Sequence, residues 1–199
     1  RPPLRIVPPP RTPAEVRPRP APPPQPAVAA QQEVWRKRME NRPLPRGSQH
    51  YVDRLKPIFR AQGIPPELVW VAEVESTFNP QARSPVGAAG LFQFMPATAR
   101  QYGLALEPQD ERMQPEKSAL AAARYLRYLH GRFGSWDLAL AAYNAGEGRV
   151  GRLLRAENAT GFNDISPKLP AETQMYVPRI DATLQHREKL TLAQLPAPR

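Results

Sequence analysis

A run of apolar residues ends on a carboxyl group in Glu67-Leu-Val-Trp-Val-Ala-Glu-Val-Glu75-Ser-Thr-Phe-Asn-Pro80. The pattern predicts a helix buried on most of its circumference. An acid at the end of such a helix is costly to desolvate unless it is used or paired. A Gly-rich stretch follows at once, Ser84-Pro-Val-Gly-Ala-Ala-Gly90, and then Leu91-Phe-Gln-Phe-Met-Pro-Ala-Thr-Ala99. A buried carboxyl that opens into a polar loop is a candidate proton donor with a raised pKa. Glu73 is its rival. Two residues apart on a helix, the two acids point roughly 200° apart, so both cannot face one cleft. Glu73 is expected to pair with a basic side chain or to meet solvent.

The elements that must carry these residues read as helices throughout. Residues 28–40 form a short helix with Val34, Trp35 and Met39 near one side, stopped by Pro43 and Pro45. Val52, Leu55, Ile58 and Phe59 recur at helical spacing, with Ser48 as N-cap and Gly63 as stop. Pro65 and Pro66 start the Glu75 helix. A loop over residues 79–90 leads to a short helix from Pro96 to near Gly103, then a polar loop over 104–114. Pro115 to Phe133 is a long helix ended by Gly134, and Trp136 to Tyr143 an apolar one ended by Asn144-Ala-Gly146. Val150 to Arg155 adds a turn or two, and Pro170 to Leu190, with Pro178 inside it, closes the domain. No β-alternation and no internal repeat stands out. The fold class is all-α, with roughly seven or eight helices, within the size of one domain.

Composition narrows the chemistry. The 199 residues suffice for one domain with a core. There is no Cys, which excludes disulfides and thiolate metal sites. His50, His130 and His186 show no ligand spacing, so no catalytic metal and no cofactor is expected. The net charge of +10 favours an anionic partner. Nucleic acid, anionic lipid and an acidic cell-wall polymer all satisfy charge alone, but no nucleic-acid reader motif accompanies it. Residues 1–26 hold 12 of the 27 Pro and read as a polyproline-like disordered linker, a spacer from an envelope anchor or upstream module. No stretch reaches transmembrane length. The chain begins at Arg1 rather than Met, which leaves room for a targeting segment upstream. The organisation expected is a basic Pro-rich linker with a short helix over 1–46, a catalytic domain over 47–190 and a tail over 191–199.

Four motifs stand in order: Glu75-Ser76, Gly87-Ala-Ala-Gly-Leu-Phe-Gln-Phe-Met-Pro96, Ala142-Tyr-Asn-Ala-Gly146 and Glu172-Thr-Gln-Met-Tyr-Val177. Together they resemble the catalytic domain of the soluble lytic transglycosylases, of lysozyme-like fold. The run Asp110-Glu-Arg, the stretch Ser118 to Leu129, and Phe133-Gly-Ser-Trp-Asp-Leu-Ala-Leu-Ala-Ala-Tyr-Asn-Ala-Gly146 look nearest to the membrane-bound lytic murein transglycosylase D branch. The resemblance covers about residues 50–185. It implies cleavage of peptidoglycan strands after N-acetylmuramic acid with a 1,6-anhydro product, by a monomer in the bacterial envelope, on the periplasmic side. Glu75 matches the family's acid/base. Ser84 matches the residue that holds the acetamido group. Gln93, Met95, Tyr143 and Asn144 match groove residues, and Glu172 and Tyr176 match the late acid and Tyr that flank the cleft.

Glycoside cleavage usually takes two carboxylates. Here one acid sits in a motif built for chemistry, and the substrate's acetamido oxygen can replace the second. Each matched residue also has a plainer reading. Gly87 and Gly90 permit a tight loop, and Phe94 and Met95 can be core. Tyr143 can be core with its hydroxyl on a backbone group, Asn144 a helix C-terminal residue, and Glu172 an acid on a helix dipole. Ser76 is expected to bond a nearby carbonyl. Arg149, Arg152 and Arg155 form a helix-spaced basic stripe, read as a solvated face. A lysozyme-type muramidase and a non-catalytic glycan-binding module are the alternatives in function.

Overall fold

A computed structural model describes residues 28–199, and the Pro-rich segment 1–26 lies outside the described residues. Nine α-helices in order make up the described chain: α1 Val28–Met39, α2 Ser48–Ala61, α3 Val71–Ser76, α4 Pro96–Gln101, α5 Pro115–Phe133, α6 Trp136–Ala145, α7 Glu147–Ala156, α8 Phe162–Ile165 and α9 Ala171–Glu188. Single 3-10 turns sit between them, and the only β pairing among the described residues is two isolated bridges in the 77–95 loop.

The centre is α6. It buries Trp136, Leu138, Ala139, Leu140, Ala141 and Ala142, and a helix apolar on nearly every side belongs inside. Around it pack α5, α7 and α9. Small Ala residues on α5 (Ala119, Ala121, Ala122, Ala123) let it approach closely, while Leu126 and Leu129 fill the remaining space. Helix α2 brings Val52, Leu55 and Phe59 to the same core, and α1 lies along α9. Proline starts and glycine stops mark the long elements: Pro115 opens α5, and Gly134 closes it at φ 78°.

Three details differ from the sequence reading. The stretch leading to Glu75 is not one helix but a 3-10 segment, Pro66–Trp70, followed by the six-residue α3. Burial of Leu68, Val69, Val71 and Ala72 is met by either geometry, so the apolar pattern did not distinguish them. The N-cap of α2 is Gly47, in left-handed conformation, and Ser48 is the first helical residue. The Ser48 hydroxyl donates to the Pro45 carbonyl at 2.6 Å, so it is not free to cap. The polar loop 104–114 contains a 3-10 turn, Glu111–Met113, capped by Asp110. Beyond α9, the turn Leu192–Gln194 and the last residues return to the domain, where the Arg199 amide donates to the Gly63 carbonyl at 2.8 Å.

Candidate active site

Glu75 occupies the last turn of α3. The backbone then leaves the helix through two left-handed residues, Thr77 at φ 55° and Phe78 at φ 58°. This end is stitched to the loop it faces, since the Ser76 hydroxyl reaches the Leu91 carbonyl at 2.9 Å and Ala72 at 3.2 Å. The loop itself is held from behind by Arg112, which is only 6% exposed. One guanidinium nitrogen donates to the carbonyls of Gly87 and Phe94, both at 2.8 Å. The other two meet Asp110 at 2.9 and 2.8 Å. Gly90 passes so close that a Cβ would lie 1.8 Å from the Arg112 carbonyl oxygen, so glycine is obligatory there.

Glu75 is partly buried, and its carboxyl accepts a hydrogen bond from the Tyr176 hydroxyl at 2.5 Å. Burial pushes its pKa up to about 7; the Tyr176 bond opposes the rise, the Glu172 charge adds to it, and Arg179 opposes it. Burial likewise holds the Tyr143 and Tyr176 hydroxyls well above the usual phenol range, so both stay neutral donors. Glu73 has the other fate. At 1% exposure it faces away, bound on two oxygens by Arg187 at 2.9 and 3.0 Å, with Arg42 at 3.4 Å. The expected pairing of Glu73 with a base is what occurs.

A cleft of about 440 Å³ opens beside Glu75. Its lining contains Glu75, Ser84, Gln93, Met95, Tyr143, Asn144, Glu172 and Tyr176, so the eight residues singled out from the sequence meet at one place. The plainer readings coexist with this arrangement. Tyr143 packs among aromatic rings and donates to the Phe92 carbonyl at 2.7 Å, yet still lines the cleft. The Asn144 side-chain oxygen accepts from the Thr173 hydroxyl at 2.7 Å, which ties α6 to α9. The Ser84 hydroxyl accepts the Ala88 amide at 2.9 Å, and the Gln93 side-chain amide donates to the Gly90 carbonyl at 2.8 Å. Phe94 is core at 2% exposure, whereas Met95 is 43% exposed on the cleft wall. Glu172 stands in the first turn of α9 at the rim.

Sequence reasoning missed Trp35, Val86, Met175 and Arg179 as cleft residues. Met175 and Arg179 lie three and seven residues after Glu172, on the stripe that also carries Tyr176, so the helical period could have found them. Trp35 had no local signal, because it reaches the cleft only through the packing of α1 on α9. A larger cavity of about 680 Å³ shares no lining residue with this cleft. Its acids serve structure: Asp181 accepts the Leu192 amide at 2.7 Å, and Asp137 accepts that of Leu138 at 2.7 Å. Chemistry, not volume, selects the cleft at Glu75.

The chain is 40% identical over 125 residues to membrane-bound lytic murein transglycosylase D of Escherichia coli, and 36% over 129 residues to the soluble lytic murein transglycosylase of Salmonella typhimurium. These matches take in 61% and 58% of the chain but only 28% and 20% of the relatives, so the chain spans about a quarter of their length. Among solved structures, the 70 kDa soluble lytic transglycosylase of Escherichia coli superposes with a TM-score of 0.59 at 29% identity, over 80% of this chain and 27% of that one. An inactive mutant of the lytic transglycosylase Slt from Pseudomonas aeruginosa gives 0.60 at 29%, over 73% and 25%. The family model for the transglycosylase SLT domain matches residues 59–166, which runs through Glu75, the glycine loop and Tyr143-Asn144. That match covers more than half of the chain, which therefore belongs to the transglycosylase SLT domain family.

Proposed function

We propose that this protein is a peptidoglycan lytic transglycosylase of the bacterial envelope, cleaving the β-1,4 bond between N-acetylmuramic acid and N-acetylglucosamine. Glu75 is its single acid and base, and the product is a 1,6-anhydromuramyl end. The observation that carries this reading is a carboxyl group with its pKa at about 7, opening on a cleft and bonded to a neutral Tyr176 hydroxyl. A group poised there holds its proton at rest and can release and regain it at neutral pH.

Protonated Glu75 donates to the glycosidic oxygen as the bond to C1 breaks. The acetamido oxygen of the muramyl residue covers the developing charge at C1, in place of a second carboxylate. The Glu75 carboxylate then takes the proton of the muramyl 6-hydroxyl, whose oxygen closes on C1. Atoms balance without water, and Glu75 ends protonated as it began. Tyr176 steadies the carboxylate between the two steps by its hydrogen bond, and Arg179 does so by its charge. Ser84 and Gln93 present polar groups to the sugar from the loop, Tyr143, Asn144 and Met95 form the groove wall, and Glu172 bounds the rim.

A hydrolase reading needs a placed water and a second acid, and Glu172 in the same cleft is the residue that would supply it. Mass analysis of muropeptides released from purified sacculi separates the two. The expected products are lighter by one water than lysozyme products and resist borohydride. Reducible muramyl ends would establish hydrolysis instead, and binding without release would establish a glycan-binding module.

A further inference from the structure

We propose that Arg179, held by the indole of Trp35, is an anion site of the cleft that binds a carboxylate on the muramyl 3-O-substituent and so selects muramyl glycan by charge. The inference rests on the peptidoglycan reading above and adds a specificity element to it. Both residues lie outside the segment 59–166 that the family model matches, so the site belongs to flanking helices α1 and α9.

The guanidinium of Arg179 lines the cleft and is half-buried. Among the described residues it makes no side-chain hydrogen bond and no salt bridge, and it lies over the Trp35 ring, 5.3 Å from centroid to guanidinium carbon. No acid among the described residues bonds to it directly, and Glu75 feels its charge only through space. Glu73 is taken by Arg187 and Arg42 on its far side, and the Glu75 carboxyl is held by the Tyr176 hydroxyl. A half-buried cation left without an acceptor, in a cleft, is an unmet demand for a carboxylate. Burial lowers the Arg179 pKa, in keeping with a charge that lacks a partner.

Position fits this role. Glu172, Tyr176 and Arg179 share one stripe of α9, and Arg179 sits about 10 Å along the helix from Glu172. Tyr176 between them touches Glu75, which sets Arg179 within one helical turn of the residue that holds the reacting carboxyl, near a substituent of the sugar on which Glu75 acts rather than the far end of a strand. N-acetylglucosamine has a plain 3-hydroxyl. N-acetylmuramic acid has a lactyl ether there, which bears its own carboxylate when bare and a stem peptide with carboxylates when substituted. The chemistry is shared, and the source is left to the test. Trp35 acts through Arg179 and is a positioning residue. A second guanidinium, that of Arg38, lies 5.0 Å from the same ring, so the indole is already engaged by cations and is not a bare platform for a sugar face.

The test is binding by calorimetry in the full chain carrying Glu75→Gln, which holds substrate without turning it over. The ligands are purified glycan strands with stem peptides, strands stripped of them by amidase, and both after conversion of carboxylates to carboxamides. The parent should bind charged strands about tenfold more tightly than their amidated forms, the size of one charge-assisted hydrogen bond. Arg179→Gln should abolish that difference and leave affinity for amidated strands unchanged, while Arg179→Lys restores part of it. Trp35→Ala should behave as a weaker Arg179→Gln, and Trp35→Phe should retain the discrimination. A loss confined to stripped strands assigns the lactyl carboxylate; one confined to peptide-bearing strands assigns the stem. Equal losses on charged and amidated strands, or no charge preference in the parent, would overturn the inference. The first pattern from Trp35→Ala would mean direct sugar stacking. Failure of the parent to bind any strand would instead overturn the peptidoglycan reading itself.

Discussion

Replacing Glu75 by Gln should remove catalysis and make the fold more stable, by an amount that depends on pH. The carboxyl pKa rises from 4.5 to about 7 on folding, so the folded state holds its proton more tightly than the unfolded chain. Below pH 4.5 both states are protonated and the shift contributes nothing. Between 4.5 and 7 the unfolded chain ionises while the folded one does not, and stability falls as pH rises. Above 7 the folded protein bears the full cost of a desolvated carboxylate, at about 1.4 kcal/mol per unit, or roughly 3 kcal/mol. The open side of the cleft lets water reach the group, so this is a ceiling. Gln keeps the shape and can still accept the Tyr176 hydrogen bond, but it carries no charge at any pH. Its advantage over Glu should be near zero at pH 4 and approach that ceiling at pH 8, raising Tm there by roughly 6 to 12 °C. Turnover of peptidoglycan should drop on the order of 10²-fold or more at every pH. Urea unfolding at pH 4, 6 and 8, beside muropeptide release at the same values, measures both. A stability difference that does not change with pH, or a wild-type protein that gains on Glu75→Gln as pH rises, refutes the assignment of a buried, raised carboxyl.

Tyr176→Phe removes a hydrogen bond that holds the Glu75 pKa down, so the alkaline limb of the rate profile should move to higher pH while turnover falls about tenfold; an unmoved limb would make Tyr176 a packing residue only. Glu73→Ala strands the buried Arg187 without its two-oxygen partner and should cost about 3 to 5 kcal/mol in urea unfolding, with the activity of the molecules that remain folded little changed. Losses of turnover as large as those of Glu75→Gln would undo the distinction between the two acids. Gly90→Ala sets a methyl group on the Arg112 carbonyl at a φ of 82°, and should destabilise the loop by more than 1 kcal/mol and release limited proteolysis between residues 77 and 95.

Much of this molecule is legible in short windows of sequence, because the signals that end helices act over a few residues. Pro96, Pro115, Gly134 and Gly146 each mark a boundary that the structure keeps. The cleft residues were gathered by motif order, and their meeting place follows from α3, the glycine loop, α6 and α9 packing on one core. What escaped notice depends on partners far away in the chain. No window around Trp35 contains α9. Nothing near Gly87 names Arg112 as the donor that pins it, 25 residues on. The preference for a 3-10 turn at Pro66–Trp70 is a small difference between two geometries that bury the same side chains.

The two glutamates at the end of α3 show how much such long-range contacts decide. Glu73 and Glu75 have the same side chain and nearly the same place in the chain. Helix α9 assigns them opposite work. It offers Glu73 the fork of Arg187, which fixes a carboxylate in a salt bridge, and offers Glu75 the neutral hydroxyl of Tyr176, which tolerates either protonation state. Those two partners sit eleven residues apart on α9, about three turns, while the acids they meet diverge by roughly 200° around α3. Docking one helix against the other therefore sets one acid as a structural tie and frees the other to exchange its proton. The two contacts fall on separate turns, so loss of the Glu73–Arg187 tie lowers stability while Tyr176, packed in the core, keeps its bond to Glu75.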